Sequence, residues 1–263
     1  MDVIEPVTLN ALAQLVWPMC RISAFLASMF TLSSRSIPTL CKALIAISIS
    51  VCILPSIPDL KQDANPFSLY GFMVTIKEVL IGLALGYATL FISQCFILAG
   101  QTIAMQTGLG FASLVDPVSG TNTPVVGQFF TVLCTLVFFS VNGHLIFLRL
   151  IMESFTSLPM GNFIPRMSLY DLLFFTAIMF NAGLTMALSA ICTMLVVNFT
   201  LGVMTKAAPQ LNVFSLGFAI TMIVGIFVLL LSLNAFMGNF TANFNDIFNH
   251  ACSLVRLDCD GIL

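Results

Sequence analysis

Charge is what this sequence has least of. Only 8% of its 263 residues are Asp, Glu, Lys or Arg, against roughly 25% in an ordinary soluble domain. So few charges cannot coat a water-facing surface, which excludes a soluble enzyme or binding domain of this size. The nine Lys and Arg are outnumbered by eleven Asp and Glu, for a net charge of −2. With no basic cluster anywhere, nucleic acid is excluded as a partner. Histidine is nearly absent, with His144 and His250 far apart, and none of the eight cysteines forms a Cys-x-x-Cys pair. Most cysteines (Cys20, Cys52, Cys95, Cys134, Cys192) lie in apolar runs, so they are read as inert packing thiols rather than metal ligands or a disulfide framework. Also missing are a Ser/His/Asp set, a His-Glu-x-x-His motif and a phosphate-binding glycine loop followed by Lys. No catalytic, cofactor-binding or metal-binding residue is assigned, and no cofactor is expected. The acidic start, Met1-Asp2-Val3-Ile4-Glu5-Pro6, lacks the positive region of a signal peptide, so the first apolar stretch is expected to stay in the mature protein.

What the chain does have is apolar length. It is 59% hydrophobic, with a mean hydropathy of +1.07. An apolar helix needs about 20 residues to cross a hydrocarbon core of ~30 Å. Apolar stretches of that order, with at most two charges each, fall at about 8–31, 39–57, 72–99, 125–148, 172–204 and 213–238. Lipid offers no partners to an unpaired backbone, and runs such as Val228-Leu229-Leu230-Leu231 lack the alternating polarity of a barrel strand. The expected fold is therefore an all-α membrane protein, residues 1–263 forming one integral membrane domain of about six hydrophobic helices. Pro18 should bend or restart the first segment. The stretch 172–205, about 50 Å long as one helix, should tilt, protrude or break near Asn181-Ala182-Gly183. Between the third and fourth segments, Gly108, Gly110, Asp116-Pro117 and Gly120 oppose a continuous helix, while Phe111, Leu114 and their neighbours keep the stretch apolar. Such a loop is either an interfacial connector or a re-entrant element buried in protein. Basic residues divide four against three between the two sides of a six-span arrangement, so the positive-inside rule does not choose an orientation.

A few residues stand out from this background. Glu78 is the clearest intramembrane ionisable residue, and Arg21, in the first segment, is a candidate partner. The alternative places Lys77-Glu78 at the water interface, just after Tyr70-Gly71-Phe72. Asp116 either lines a path or caps a local turn. Gly82 and Gly86 have the Gly-xxx-Gly spacing that lets another helix approach closely. Asn142-Gly143-His144 lies inside the fourth segment, where a lone histidine is more often a packing residue than a proton relay. Asn198-Phe199-Thr200 fits a glycosylation sequon but sits in an apolar helix, which argues against modification. Phe236, Phe240, Phe244 and Phe248 recur every four residues. They are expected to form a stripe laid on a partner or on the membrane surface.

Two stretches are more than generic membrane sequence. One runs Gly108-Leu109-Gly110-Phe111-Ala112-Ser113-Leu114-Val115-Asp116-Pro117, continued by Gly120 and by Pro124-Val125-Val126-Gly127-Gln128-Phe129. The other runs Asn198-Phe199-Thr200-Leu201-Gly202-Val203-Met204-Thr205-Lys206-Ala207-Ala208-Pro209-Gln210-Leu211-Asn212-Val213-Phe214. With Glu78-x-x-Ile81-Gly82-x-x-x-Gly86 and Asn142-Gly143-His144, they resemble the FliR family of flagellar export-gate proteins, which has homologues in virulence type III secretion. The likeness runs in order over most of the chain, strongly over about 70–220. Ala219 departs from it where the family has Pro after Gly217-Phe218, which implies a less kinked sixth helix.

The resemblance implies a core subunit of the flagellar type III export gate in the bacterial inner membrane, within the flagellar basal body. FliP-type, FliQ-type and FlhB-type membrane subunits would be its partners, together with lipid and the unfolded proteins that pass through. It implies bent helical hairpins rather than six straight spans. It also implies a plug over residues 106–122, formed by Gly108, Gly110, Phe111, Leu114, Asp116, Pro117 and Gly120. Gly82, Gly86, Asn142, Gly143, Asn198 and Gly202 are then expected to be helix-packing positions. Two alternatives stay open: a virulence-secretion subunit, or a secondary transporter with a polar midplane site at Glu78 and Arg21. The latter usually carries an internal repeat, and none is apparent between the halves.

Overall fold

The computed structural model of the protein describes residues 4–33, 37–56, 68–110, 125–160, 169–207, 213–257 and 259. Among these, the elements in order are α1 (Ile4–Ser28), α2 (Thr39–Ile53), a 3-10 turn (Leu54–Ser56), α3 (Leu69–Thr107), α4 (Val125–Ser140), α5 (Gly143–Ser157), α6 (Leu169–Ala207), α7 (Val213–Asn234) and α8 (Phe236–Val255). No strand occurs among the described residues, and the protein is an all-α membrane protein.

Among the described residues, the apolar helices are not six equivalent spans. By length and composition, α3, α6 from Leu173 and α7 from Gly217 can cross a bilayer, with a fourth span if α4 and α5 act as one. At 15 residues, α2 is about 22 Å long, too short to span. Conversely α3 and α6, at 39 residues each, are about 58 Å long and exceed the ~30 Å core. Hydropathy locates these helices but cannot tell a buried apolar helix from a lipid-facing one.

The expected breaks fall elsewhere. Pro18 lies inside α1 without ending it, and α6 runs unbroken through Asn181-Ala182-Gly183. Gly183 is instead a contact point, because a Cβ there would lie 3.0 Å from the Cys95 carbonyl oxygen. The true bend is at Asn142, where α4 and α5 meet at 65°. Asn142 adopts the left-handed conformation with φ 56°, which Asn tolerates better than most residues. Gly143 follows because a Cβ there would lie 2.6 Å from the Phe138 ring.

The chain divides into two compact units, and α3, α4, α6 and α8 each contribute residues to both. The first unit comprises 1–91, 138–175 and 246–263. Its core holds Trp17, Phe25, Leu85, Phe147, Phe155 and Phe248, with Phe147 and Phe248 edge to face at 5.9 Å. Here α1 and α3 step forward together: Trp17 Nε1 donates to Thr75 Oγ1 at 3.1 Å, Arg21 meets Glu78, and Ser28 meets Gly86. The contacts advance in the same direction along both helices, which therefore run parallel. The second unit comprises 92–137 and 176–245. Its core is an aromatic cluster in which the Phe96 and Phe236 rings lie 4.6 Å apart and Phe130 stacks on Phe236 at 5.8 Å.

Two expectations are corrected by this packing. The phenylalanine stripe of α8 lies on neither a partner nor the membrane surface: Phe236, Phe240, Phe244 and Phe248 are all at most 5% exposed, filling this chain's own cores. The cysteines are not uniformly inert, since Cys252 and Cys259 form a disulfide. It closes the end of α8, where Arg256 is left-handed (φ 59°) and the Leu257 N–H donates to the Cys252 carbonyl at 3.0 Å. That hydrogen bond is the six-to-one closure of a Schellman end.

Gly82 and Gly86 do admit a close neighbour, and it is α1 of the same chain. A Cβ at Gly82 would overlap the Arg21 carbonyl oxygen, and one at Gly86 would fall on the Ser28 hydroxyl and within 2.7 Å of the Phe25 carbonyl oxygen. Even Gly86→Ala should therefore push α1 off α3. Overpacking of this kind costs about 1–3 kcal/mol, and Gly86→Leu should cost more. Thermal stability and protease resistance in detergent test this. Unchanged values for both variants would show that α1 does not sit against Gly86.

Candidate functional site

The densest polar cluster in the first unit is built on Arg21. Its side chain and that of Glu78 are both fully buried, so Glu78 is paired inside the protein rather than facing water. Arg21 Nε donates to Glu78 Oε2 at 2.6 Å. One guanidinium nitrogen donates to both the carbonyl and the hydroxyl oxygen of Ser154 at 2.9 Å, and the other donates to the Leu158 carbonyl at 2.9 Å. The Phe155 ring centroid lies 4.2 Å from the guanidinium carbon, within cation–π range. Lys77, also buried, donates to the Pro159 carbonyl at 3.0 Å and lies 3.8 Å from Glu78 Oε1.

Helix geometry explains why two cations meet one anion here. The carbonyls at the C-terminal end of α5 carry the negative end of the helix dipole, and the Ser154 carbonyl, which accepts from the Leu158 N–H at 3.0 Å, has a second lone pair to offer. Arg21 and Lys77 together bring two positive charges against the single negative charge of Glu78. The surplus faces the carbonyls of Ser154, Leu158 and Pro159. One arginine thus joins α1, α3 and α5, and its planar fork lets it reach four acceptor atoms on three residues at once. Among the described residues, no hydrogen-bond donor reaches the buried Glu78 Oε1 within bonding distance, and the Lys77 ammonium lies 3.8 Å from it.

The other sequence-selected residues separate into three groups. Gly82, Gly86 and Gly143 are close-contact glycines inside the first unit, and Asn142 makes the bend beside them. Asn198 and Gly202 lie exposed on α6, with nothing within 4 Å of a Cβ built at Gly202. Of the plug residues, Gly108 and Gly110 end α3: Gly108 is left-handed at φ 77°, and the Gly110 N–H donates to the Ala104 carbonyl at 2.9 Å. Phe111, Leu114, Asp116, Pro117 and Gly120 lie outside the described residues. His144 keeps a buried Nδ1 without a hydrogen bond, with its ring 5.0 Å from that of Phe139.

Sequence reasoning missed several positions that organise the second unit. A Cβ at Gly100 would lie 2.9 Å from Gly127, and one at Gly225 would lie 2.5 Å from Thr107. These are lone glycines in apolar helices without Gly-xxx-Gly spacing, so only their rarity marked them. Among the described residues, no three His, Cys, Asp or Glu side chains come together as a metal site.

Comparison with known proteins decides the family. The model of bacterial export proteins, family 1, matches residues 12–247. The chain belongs to that family. It is 34% identical over 243 residues to the flagellar biosynthetic protein FliR of Escherichia coli K12, covering 91% of each chain. The protein of that name from Pectobacterium carotovorum is 34% identical over 222 residues, 84% of each chain. The one from Aquifex aeolicus is 31% identical over 229 residues, covering 87% of this chain and 88% of that one. In this member of the family, the buried Arg21 node joins three helices and offers no open ligand site.

Because Arg21 acts as a fork and not only as a charge, Arg21→Lys should not substitute for it. One ammonium cannot reach Glu78, Ser154 and Leu158 together, and leaving the Leu158 carbonyl without its donor costs about 1–3 kcal/mol. A marked fall in thermal stability in detergent is expected, with faster proteolysis at the end of α5. Wild-type behaviour of Arg21→Lys would show that charge alone suffices.

Proposed function

We propose that this protein is a core subunit of the flagellar type III export gate, forming with FliP- and FliQ-type subunits a pore for unfolded flagellar proteins. An FlhB-type subunit is a further partner, and the site of action is the inner membrane at the flagellar basal body. The observation that carries this reading is the family match across residues 12–247, joined to relatives named as flagellar biosynthetic proteins. Those names also favour a flagellar over a virulence assignment.

The physical character of the chain supports the same reading. A conduit for many different sequences needs no specific binding site, and the described polar groups are largely engaged within the chain. The Arg21–Glu78 pair is fully buried and closed by backbone carbonyls, so it does not form the accessible midplane site that a small-molecule transporter requires. By contrast, α6 and α7 bury only 17% and 11% of their most apolar windows, against 61% for α3. Asn198, Gly202 and Phe199 lie exposed on α6. An amide and a glycine on an apolar helix suit a protein neighbour better than lipid, and we assign this face to partner subunits.

Residues 106–122 then serve as the plug. The glycine-rich, apolar composition gives backbone freedom and excludes water, and a seal of this kind depends on shape more than on one carboxylate. Deleting 111–120 should leave co-purification with the FliP- and FliQ-type subunits intact while ions leak across the membrane. Asp116→Ala should leak far less. Conductance and motility measured on both variants test this. A deletion that assembles yet does not leak removes the plug, and a chain that purifies as a stable monomer with no membrane partner removes the gate reading itself.

A further inference from the structure

The second unit contains a partly open cavity of about 340 Å³, with walls from α3, α4, α6, α7 and α8. We propose that it holds the acyl chain of a membrane phospholipid.

The walls specify an apolar guest. Met186, Val224, Phe227, Val228 and Leu231 are among the apolar residues that line it. Of the polar lining residues Ser189, Thr193, Ser232 and Asn239, Thr193 donates to the Ser189 carbonyl at 2.8 Å and Ser232 to the Leu229 carbonyl at 2.7 Å. A water molecule needs two to four polar partners to remain in a cavity, and walls this predominantly apolar supply few. Size then selects the kind of apolar guest. An apolar hole of about 150 Å³ accommodates one benzene, so this cavity is more than twice what one aromatic side chain fills. A single knob from a partner helix would leave it mostly empty, whereas a flexible hydrocarbon chain follows an irregular recess. The surroundings supply that chain, because α6 and α7, which form much of the wall, are spanning helices with mostly unburied apolar faces.

Photolabelling tests the proposal in the assembled complex, reconstituted in phosphatidylcholine vesicles carrying a diazirine in mid-acyl chain. Met186 and Val224 line the cavity and are only partly exposed. Adducts mapped by mass spectrometry should appear on these two residues as well as on the outward-facing Ile223 and Leu230 of α7. The filling variants Thr193→Trp and Ala235→Phe should each lower labelling of Met186 and Val224 severalfold while leaving Ile223 and Leu230 unchanged. Labelling confined to Ile223 and Leu230 in the wild-type complex would overturn the proposal. So would labelling of Met186 and Val224 in the isolated chain but not in the assembly, which would mean that a partner side chain fills the cavity. The wild-type ratio decides the matter even if a filling variant does not assemble.

Discussion

The first unit depends on one buried ion pair that is also a helix cap. Removing an arginine and a glutamate from water costs several kcal/mol per ion, and their attraction alone often fails to offset it. Here the remaining donors of Arg21 go to Ser154 and Leu158, at the end of α5. Without Arg21 the Leu158 carbonyl at that helix end would lose its donor, and the Ser154 carbonyl would keep its bond from the Leu158 N–H alone. The pair therefore solves two desolvation problems together, one for the charges and one for the helix terminus. Placing Glu78 on α3 and Arg21 on α1 fixes those helices in one parallel register, which Gly82 and Gly86 make sterically possible.

Close backbone approach organises the second unit by the same physical means without charge. Gly100 meets α4, and Gly183 and Gly225 bring α6 and α7 onto α3. Membrane helices gain little from hydrophobic exclusion between one another, so packing depends on small residues that let backbones come near. The phenylalanines of α8 complete the cores that these contacts leave. The outer faces of α6 and α7 remain apolar and unburied, and this is the surface assigned to partner subunits and lipid.

Much of this architecture was legible in the sequence, but mainly at the level of periodicity. Scarce charge gave the membrane class, and a lone Glu and Arg in apolar runs marked themselves as unusual. Their partnership spans 57 positions, which no local pattern reveals. Glycine spacing at 82 and 86 announced a close neighbour, yet only the fold shows it to be α1 rather than another subunit. The four-residue phenylalanine repeat was visible, but an amphipathic stripe looks the same whether it covers a partner or its own core. Asn142-Gly143 was noticed as polar when its significance was conformational: a left-handed residue followed by one without a side chain. Cys252 and Cys259 pair only because α8 ends in a turn that brings them together.

The central claim is that Arg21 joins an ion pair to a helix end. Stability of Arg21→Met, Glu78→Met and the double variant in the detergent-solubilised assembly tests it most directly. Breaking a buried pair from one side costs about 3–5 kcal/mol, because a charge is left uncompensated. The double variant should therefore be more stable than the sum of the single losses requires. It should still fall short of wild type, because the Leu158 carbonyl loses its Arg21 donor in the double variant. Strictly additive losses would show that Arg21 and Glu78 are not coupled, and a double variant as stable as wild type would show that the helix end does not need Arg21.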